Sequence, residues 1–158
     1  MKKFSLPFLL SFFSFCAFAQ PTIIAHRGSS FVAPENTVAA ANLAWQQNAD
    51  AVELDIYLSK DNRVMVMHDS NTKRTTGQDY KIAETSSETL RTLDAGWWKN
   101  EKYKGEKIPF LEEMIATIPD GKKMVIEIKC GVEVLPALKT VVNQSGKKKQ
   151  LVFIAFGW

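Results

Sequence analysis

Cysteine and histidine are scarce in this chain, with two of each among 158 residues. So few thiolates and imidazoles argue against a zinc centre, which draws its ligands from both. Net charge is also small: the formal value is +3, too little for the basic footprint of a nucleic-acid binder. The run Lys147 to Lys149 reads as a solvated loop. There is no phosphate-cradling P-loop and no serine in a nucleophile elbow, which removes both of those chemistries. No exposed aromatic stretch suited to a bilayer surface is evident, and no internal repeat. What remains, 46% hydrophobic and 23% charged residues, is the composition of one globular domain with a sizeable core. Disordered and coiled-coil chains are excluded.

The one long apolar run, Phe4 to Ala19, follows Lys2 and Lys3 and ends on Ala17-Phe18-Ala19 before Gln20. A basic start, an apolar stretch and small residues at an A-x-A site are the parts of a signal peptide. Residues 1–19 are therefore expected to be removed, leaving residues 20–158 as a secreted or periplasmic domain. The run is shorter than the roughly 20 residues a spanning helix needs, and Pro7 interrupts it, so no stable membrane span is expected. Phe15 is too large to precede a lipidated Cys16. Removal of the peptide leaves Cys130 as the only cysteine, without a disulfide partner.

Short apolar runs of strand length cover Thr22 to Ala25, Ala51 to Leu58, Arg63 to Met67, Lys123 to Lys129 and Leu151 to Phe156. Helical spacing follows Asn36-Thr37, which supply a cap, and recurs over Leu111 to Ile118 behind Pro109 and over Val134 to Gln144. Lys60-Asp61-Asn62 reads as a turn that makes the second and third strands neighbours. Between about 70 and 107 the periodicity fades, apart from a helical hint at Glu88 to Leu93, and this stretch reads as an insertion. Strands alternating with helices predict an α/β domain with a mainly parallel sheet. A barrel of eight such units takes about 250 residues, so about five strands make either an open sheet or part of something larger.

The apolar strands carry charge where burial makes charge costly. Glu53 and Asp55 alternate with Val52, Leu54 and Ile56, so both carboxylates share one face. Alone, such a pair is the polar face of a half-exposed strand. With Glu127 and Lys129 on a second charged strand, it suggests a hard divalent cation held through oxygen, Ca²⁺ or Mg²⁺. His26 and His68 each end an apolar run, and two imidazoles titrating near neutrality suit the passing of a proton in and out of a phosphoester. Arg27 and Lys129 supply positive charge, either to neutralise the neighbouring carboxylates or to bind phosphate.

These residues belong to a set of short motifs: His26-Arg27-Gly28, Pro34-Glu35-Asn36-Thr37, Glu53-Leu54-Asp55, His68-Asp69, Leu93-Asp94-Ala95-Gly96, Ile108-Pro109-Phe110-Leu111-Glu112-Glu113 and Glu127-Ile128-Lys129. In this order and spacing they resemble the glycerophosphodiester phosphodiesterases. The resemblance implies a TIM-type (β/α)8 barrel with a small insertion after the third strand, of which this chain would carry only about the first five strands, an incomplete barrel. It further implies a cation at Glu53, Asp55 and Glu127, acid/base catalysis by His26 and His68, and phosphate contacts from Arg27 and Lys129. Glu35 and Asn36 match a motif that shapes the loop before the first helix, although Glu35 fits equally well as a carboxylate at a helix start. The implied reaction is metal-dependent hydrolysis of a small-molecule glycerophosphodiester to an alcohol and glycerol 3-phosphate, by attack of the glycerol 2-hydroxyl and opening of the cyclic phosphate by water. Two alternatives remain open: a truncated half-barrel that binds phosphate or metal without turnover, and a related phospholipase-type phosphodiesterase.

Overall fold

A computed structural model describes residues 21–156; the expected signal peptide lies outside the described residues. Five strands form one sheet: β1 (Ile24–His26), β2 (Ala51–Leu58), β3 (Val64–Val66), β4 (Lys123–Ile128) and β5 (Leu151–Ala155). Four of them run parallel in the order β1-β2-β4-β5, while β3 pairs antiparallel with the end of β2. The arc of barrel strands therefore has four members, with β3 as a side branch. The cause is local, since a parallel crossover needs a dozen or more residues and only Ser59 to Arg63 separate β2 from β3. Ser59 and Arg63 close this turn, each donating its backbone N–H across it.

One face of the sheet carries the main core. Val52, Leu54 and Ile56 of β2 and Met124 and Ile126 of β4 are fully buried against Ala41 and Ala44 of α1 (Val38–Gln46), Leu111, Met114 and Ile115 of the helix Leu111–Ala116, and Leu138 and Val142 of the helix Leu135–Gln144. Full burial of each large side chain contributes about 1.5–3 kcal/mol. Alanine on α1 lets it lie close to the sheet, and Thr37 caps it by accepting from the Ala40 N–H at 3.2 Å. The opposite face of the same strands holds Glu53, Asp55 and Glu127.

The segment 70–107 adds no strand to the sheet. It holds the one-turn helix α2 (Lys73–Thr76) and the short helix α3 (Ser87–Thr92), and its Ile82, Leu90, Leu93 and Ala95 join Met65, Met67 and Ile108 in a second small core. The remaining helices are α4 (Leu111–Ala116) and α5 (Leu135–Gln144).

Among the described residues, β1 and β5 each pair on one side only. Ile23, Ile24, Val152, Phe153 and Phe156 stand exposed there, so the sheet is an open arc with unpaired edges. No helix of the described residues is long and apolar enough to cross a membrane.

Candidate active site

Strand register brings the carboxylates together. His26 lies opposite Glu53 across the β1–β2 pair, and Asp55 lies opposite Glu127 across the β2–β4 pair. Oxygens of Glu53, Asp55 and Glu127 all come within 4.8 Å of one another. Lys129 continues from β4, its Nζ 3.0 Å from Glu127 Oε1 and 3.8 Å from Asp55 Oδ1. The Glu127 carboxylate, which accepts a bond from Lys129, holds that lysine's pKa above its ordinary value.

Burial of negative charge dominates this cluster. The Glu53 carboxyl is pushed up to about 7, first by burial and then by the charge of Asp55, against the pull of the Arg27 backbone N–H. Burial also raises Asp55, opposed by its bond from Asn36 and by the charges of His68, Arg27 and Lys129. Glu53 Oε1 and Asp55 Oδ1 are buried without any hydrogen-bond partner. Orphaned buried carboxylate oxygens are costly, and an all-oxygen donor set at this spacing fits a hard divalent cation. One prediction concerns the metal-free protein. Because burial lifts the folded-state pKa of Glu53 from its ordinary 4.5 to about 7, its contribution to stability is full below about pH 4.5 and is lost as pH rises through about 7. Thermal melts should show this decline, and saturating Mg²⁺ or Ca²⁺ should suppress it.

Arg27 is held in an unusual backbone conformation, with a φ of 56°, in the left-handed region that non-glycine residues avoid. Its N–H donates to Glu53 Oε2 at 3.0 Å, and its Nη1 to Glu35 Oε1 at 3.1 Å. Its Nε, buried 3.5 Å from Asp55 Oδ2, pairs in charge with that carboxylate without closing a hydrogen bond. Gly28 makes this turn possible: its φ is 80°, and an added Cβ would sit 2.7 Å from the Ala40 backbone carbon. Gly28→Ala is thus expected to cost about 3 kcal/mol through strain and overpacking, seen as a lowered Tm.

Asn36, also left-handed at a φ of 58°, clamps Asp55 by donating Nδ2–H to Oδ2 at 2.9 Å and accepting the Asp55 N–H on Oδ1 at 3.2 Å. It is a stronger part of the site than its sequence motif suggests. Glu35 is no helix-start carboxylate: it lies between two arginines, Arg27 and Arg74.

The two histidines reach the site by different routes. His26 ends a parallel strand, with Nε2 3.8 Å from Glu53 Oε2 and a largely exposed ring. His68 does not end a barrel strand, contrary to the expectation from its apolar run. The antiparallel β3 folds back along β2, the Met67 N–H donates to the Asp55 carbonyl at 3.0 Å, and His68 follows at that level. Asp69 Oδ1 then lies 2.6 Å from His68 Nδ1. Arg74, which sequence patterning did not single out, joins Asp69 to Glu35. Two aromatic side chains stand exposed, Phe31 at 92% and Trp97 at 64%, and Lys99 Nζ donates to the Ser30 carbonyl at 2.7 Å, tying their two loops together.

Three clustered carboxylates with flanking cations and imidazoles, set on an arc of parallel β strands linked by helices, place the protein among α/β proteins with a site suited to a divalent cation. A family model described as the glycerophosphoryl diester phosphodiesterase family matches residues 26–157, and the chain belongs to that family. It is 42% identical over 118 residues to a glycerophosphodiester phosphodiesterase of Caldanaerobacter subterraneus, covering 74% of this chain and 49% of that protein. Among solved structures, a phosphodiesterase of Oleispira antarctica in complex with the product sn-glycerol-3-phosphate matches with a TM-score of 0.82 and 39% identity, covering 87% of this chain and 58% of that one. A glycerophosphodiester phosphodiesterase of Agrobacterium tumefaciens gives 0.80 and 33%, over 87% and 59%. The chain spans about half the length of the curated relatives it matches. Its sheet corresponds to part of the TIM barrel of these structures.

Proposed function

We propose that the protein is a secreted or periplasmic hydrolase that cleaves glycerophosphodiesters to an alcohol and glycerol 3-phosphate with Ca²⁺ or Mg²⁺. The observation that carries this reading is the pair of orphaned buried oxygens, Glu53 Oε1 and Asp55 Oδ1, inside a carboxylate cluster flanked by Arg27, Lys129 and two histidines. Membership of the family supports it, as does the glycerol 3-phosphate held by the Oleispira relative.

Glu53, Asp55 and Glu127 would hold the cation, which when bound supplies Lewis-acid stabilisation of charge on the phosphoryl oxygens. Arg27 and Lys129 would bind the same oxygens through charge-assisted hydrogen bonds. One histidine takes the proton of the glycerol 2-hydroxyl as its oxygen forms a bond to phosphorus. The other gives a proton to the departing alcohol as its phosphorus–oxygen bond breaks. Water then opens the cyclic phosphate with the proton transfers reversed, so the sum is one diester plus one water to alcohol and glycerol 3-phosphate. A diester lacking the neighbouring hydroxyl should resist cleavage.

A second reading, a phospholipase-type phosphodiesterase working at a lipid surface, is favoured by the exposure of Phe31 and Trp97. The two separate in one assay of the protein as its host makes it. Initial rates with soluble glycerophosphocholine should exceed those with phosphatidylinositol vesicles. The reverse preference, removed by a Phe31→Ser/Trp97→Ser double variant, would favour the lipid-surface reading.

A further inference from the structure

We propose that Arg74 is a positioning residue that sets the phosphate-binding arm and the His68 imidazole in one fixed geometry. The inference rests on the phosphodiesterase reading of the site. Arg74 uses its whole guanidinium. Nη1 and Nη2 donate to Glu35 Oε2 and Oε1 at 2.9 and 2.7 Å, and Nε donates to Asp69 Oδ2 at 2.7 Å. Each carboxylate passes the contact on: Glu35 Oε1 accepts from Arg27 Nη1 at 3.1 Å, and Asp69 Oδ1 lies 2.6 Å from His68 Nδ1. The result is a chain from Arg27 to His68 in which Arg74 is the only member bonded to both carboxylates.

The planar fork of arginine suits this double task, and a lysine's point charge does not. Arg74 is itself well anchored. It lies on the one-turn helix α2 between buried Thr72 and buried Thr75. Thr72 Oγ1 donates to the Gln78 carbonyl at 2.6 Å and accepts the Tyr80 N–H at 3.2 Å, and Thr75 Oγ1 donates to Met67 Sδ at 3.6 Å. Gly77 ends the helix in a left-handed conformation at a φ of 76°. The segment between 70 and 80 thus presents a preset guanidinium to two loops that otherwise touch the site independently. Asp69, bonded to Arg74 first and His68 next, is held down at about 2, so it stays an acceptor. Its partner nitrogen, His68 Nδ1, then carries the proton in the neutral ring, and Nε2 is left to face the substrate.

The expected kinetic signature is a split between the two arms. Glu35→Gln should raise KM for glycerophosphocholine with little change in kcat, Asp69→Asn should lower kcat with little change in KM, and Arg74→Ala should do both. Loss of such an orienting contact lowers turnover by about 10- to 100-fold. Arg74→Lys, which keeps the charge and the fold, should recover only one arm, and added methylguanidinium should partly restore Arg74→Ala. A readout independent of turnover uses the imidazole nitrogens, since the chain holds two histidines. In Arg74→Ala the His68 nitrogen resonances should move toward those of a mixed-tautomer imidazole, those of His26 should stay, and Mg²⁺ affinity should be unchanged. Unmoved His68 nitrogens, or an Arg74→Ala phenotype equal to that of one arm alone, would overturn the proposal. A wild-type protein without hydrolytic activity would overturn the phosphodiesterase reading, and the nitrogen resonances would still decide the role of Arg74.

Discussion

An Asp55→Asn protein is expected to lose divalent-cation binding and, with it, about three orders of magnitude or more in turnover. Asp55 is fully buried at the centre of the site, between Asn36, Arg27 and Lys129. The substitution keeps its shape but removes the charge that offsets two cations and gives the cluster one of its three carboxylates. Lewis-acid stabilisation of transition-state charge contributes several kcal/mol, and about 4 kcal/mol is about a thousandfold in rate. Calorimetric titration with Mg²⁺ and Ca²⁺, beside steady-state rates, measures both losses. Wild-type affinity in the variant would remove Asp55 from the cation site.

The second large effect is expected from His68→Ala. General acid–base catalysis contributes about 10²- to 10⁴-fold, and His68 is the more firmly oriented of the two imidazoles. Its Nδ1 is fixed by Asp69, while His26 is mostly exposed and only 3.8 Å from a carboxylate. The variant should lose kcat by that factor with KM nearly unchanged, because a ring that moves protons contributes little to ground-state binding. An unaltered kcat would show that His68 plays no part in proton transfer.

Much of this site was legible because strand periodicity is strict. Alternation along β2 sets Glu53 and Asp55 on the face opposite Val52, Leu54 and Ile56, and the same rule puts Glu127 beside them once β4 is parallel to β2. The direction of β3 was only half read: the turn at Lys60-Asp61-Asn62 made it a neighbour of β2, but its membership of the barrel arc did not follow. That reversal is what returns His68 to the level of Asp55. Arg74, and the clamp that Asn36 places on Asp55, were illegible for a different reason. Both residues sit in irregular segments, where no period relates sequence position to direction, and Asn36 turns inward through a left-handed backbone. Arg74 reaches Glu35 across 39 positions of sequence, a contact set by the fold of the 70–80 segment alone.

The most direct test of the account is phosphorus NMR of glycerophosphocholine incubated with the protein, before and after chelation of divalent cations. Glycerol 3-phosphate should accumulate with choline as the co-product, stop on chelation and resume when Mg²⁺ or Ca²⁺ is restored. Release of phosphocholine in its place, or hydrolysis that continues unchanged after chelation, would contradict a cation-dependent site built on Glu53, Asp55 and Glu127.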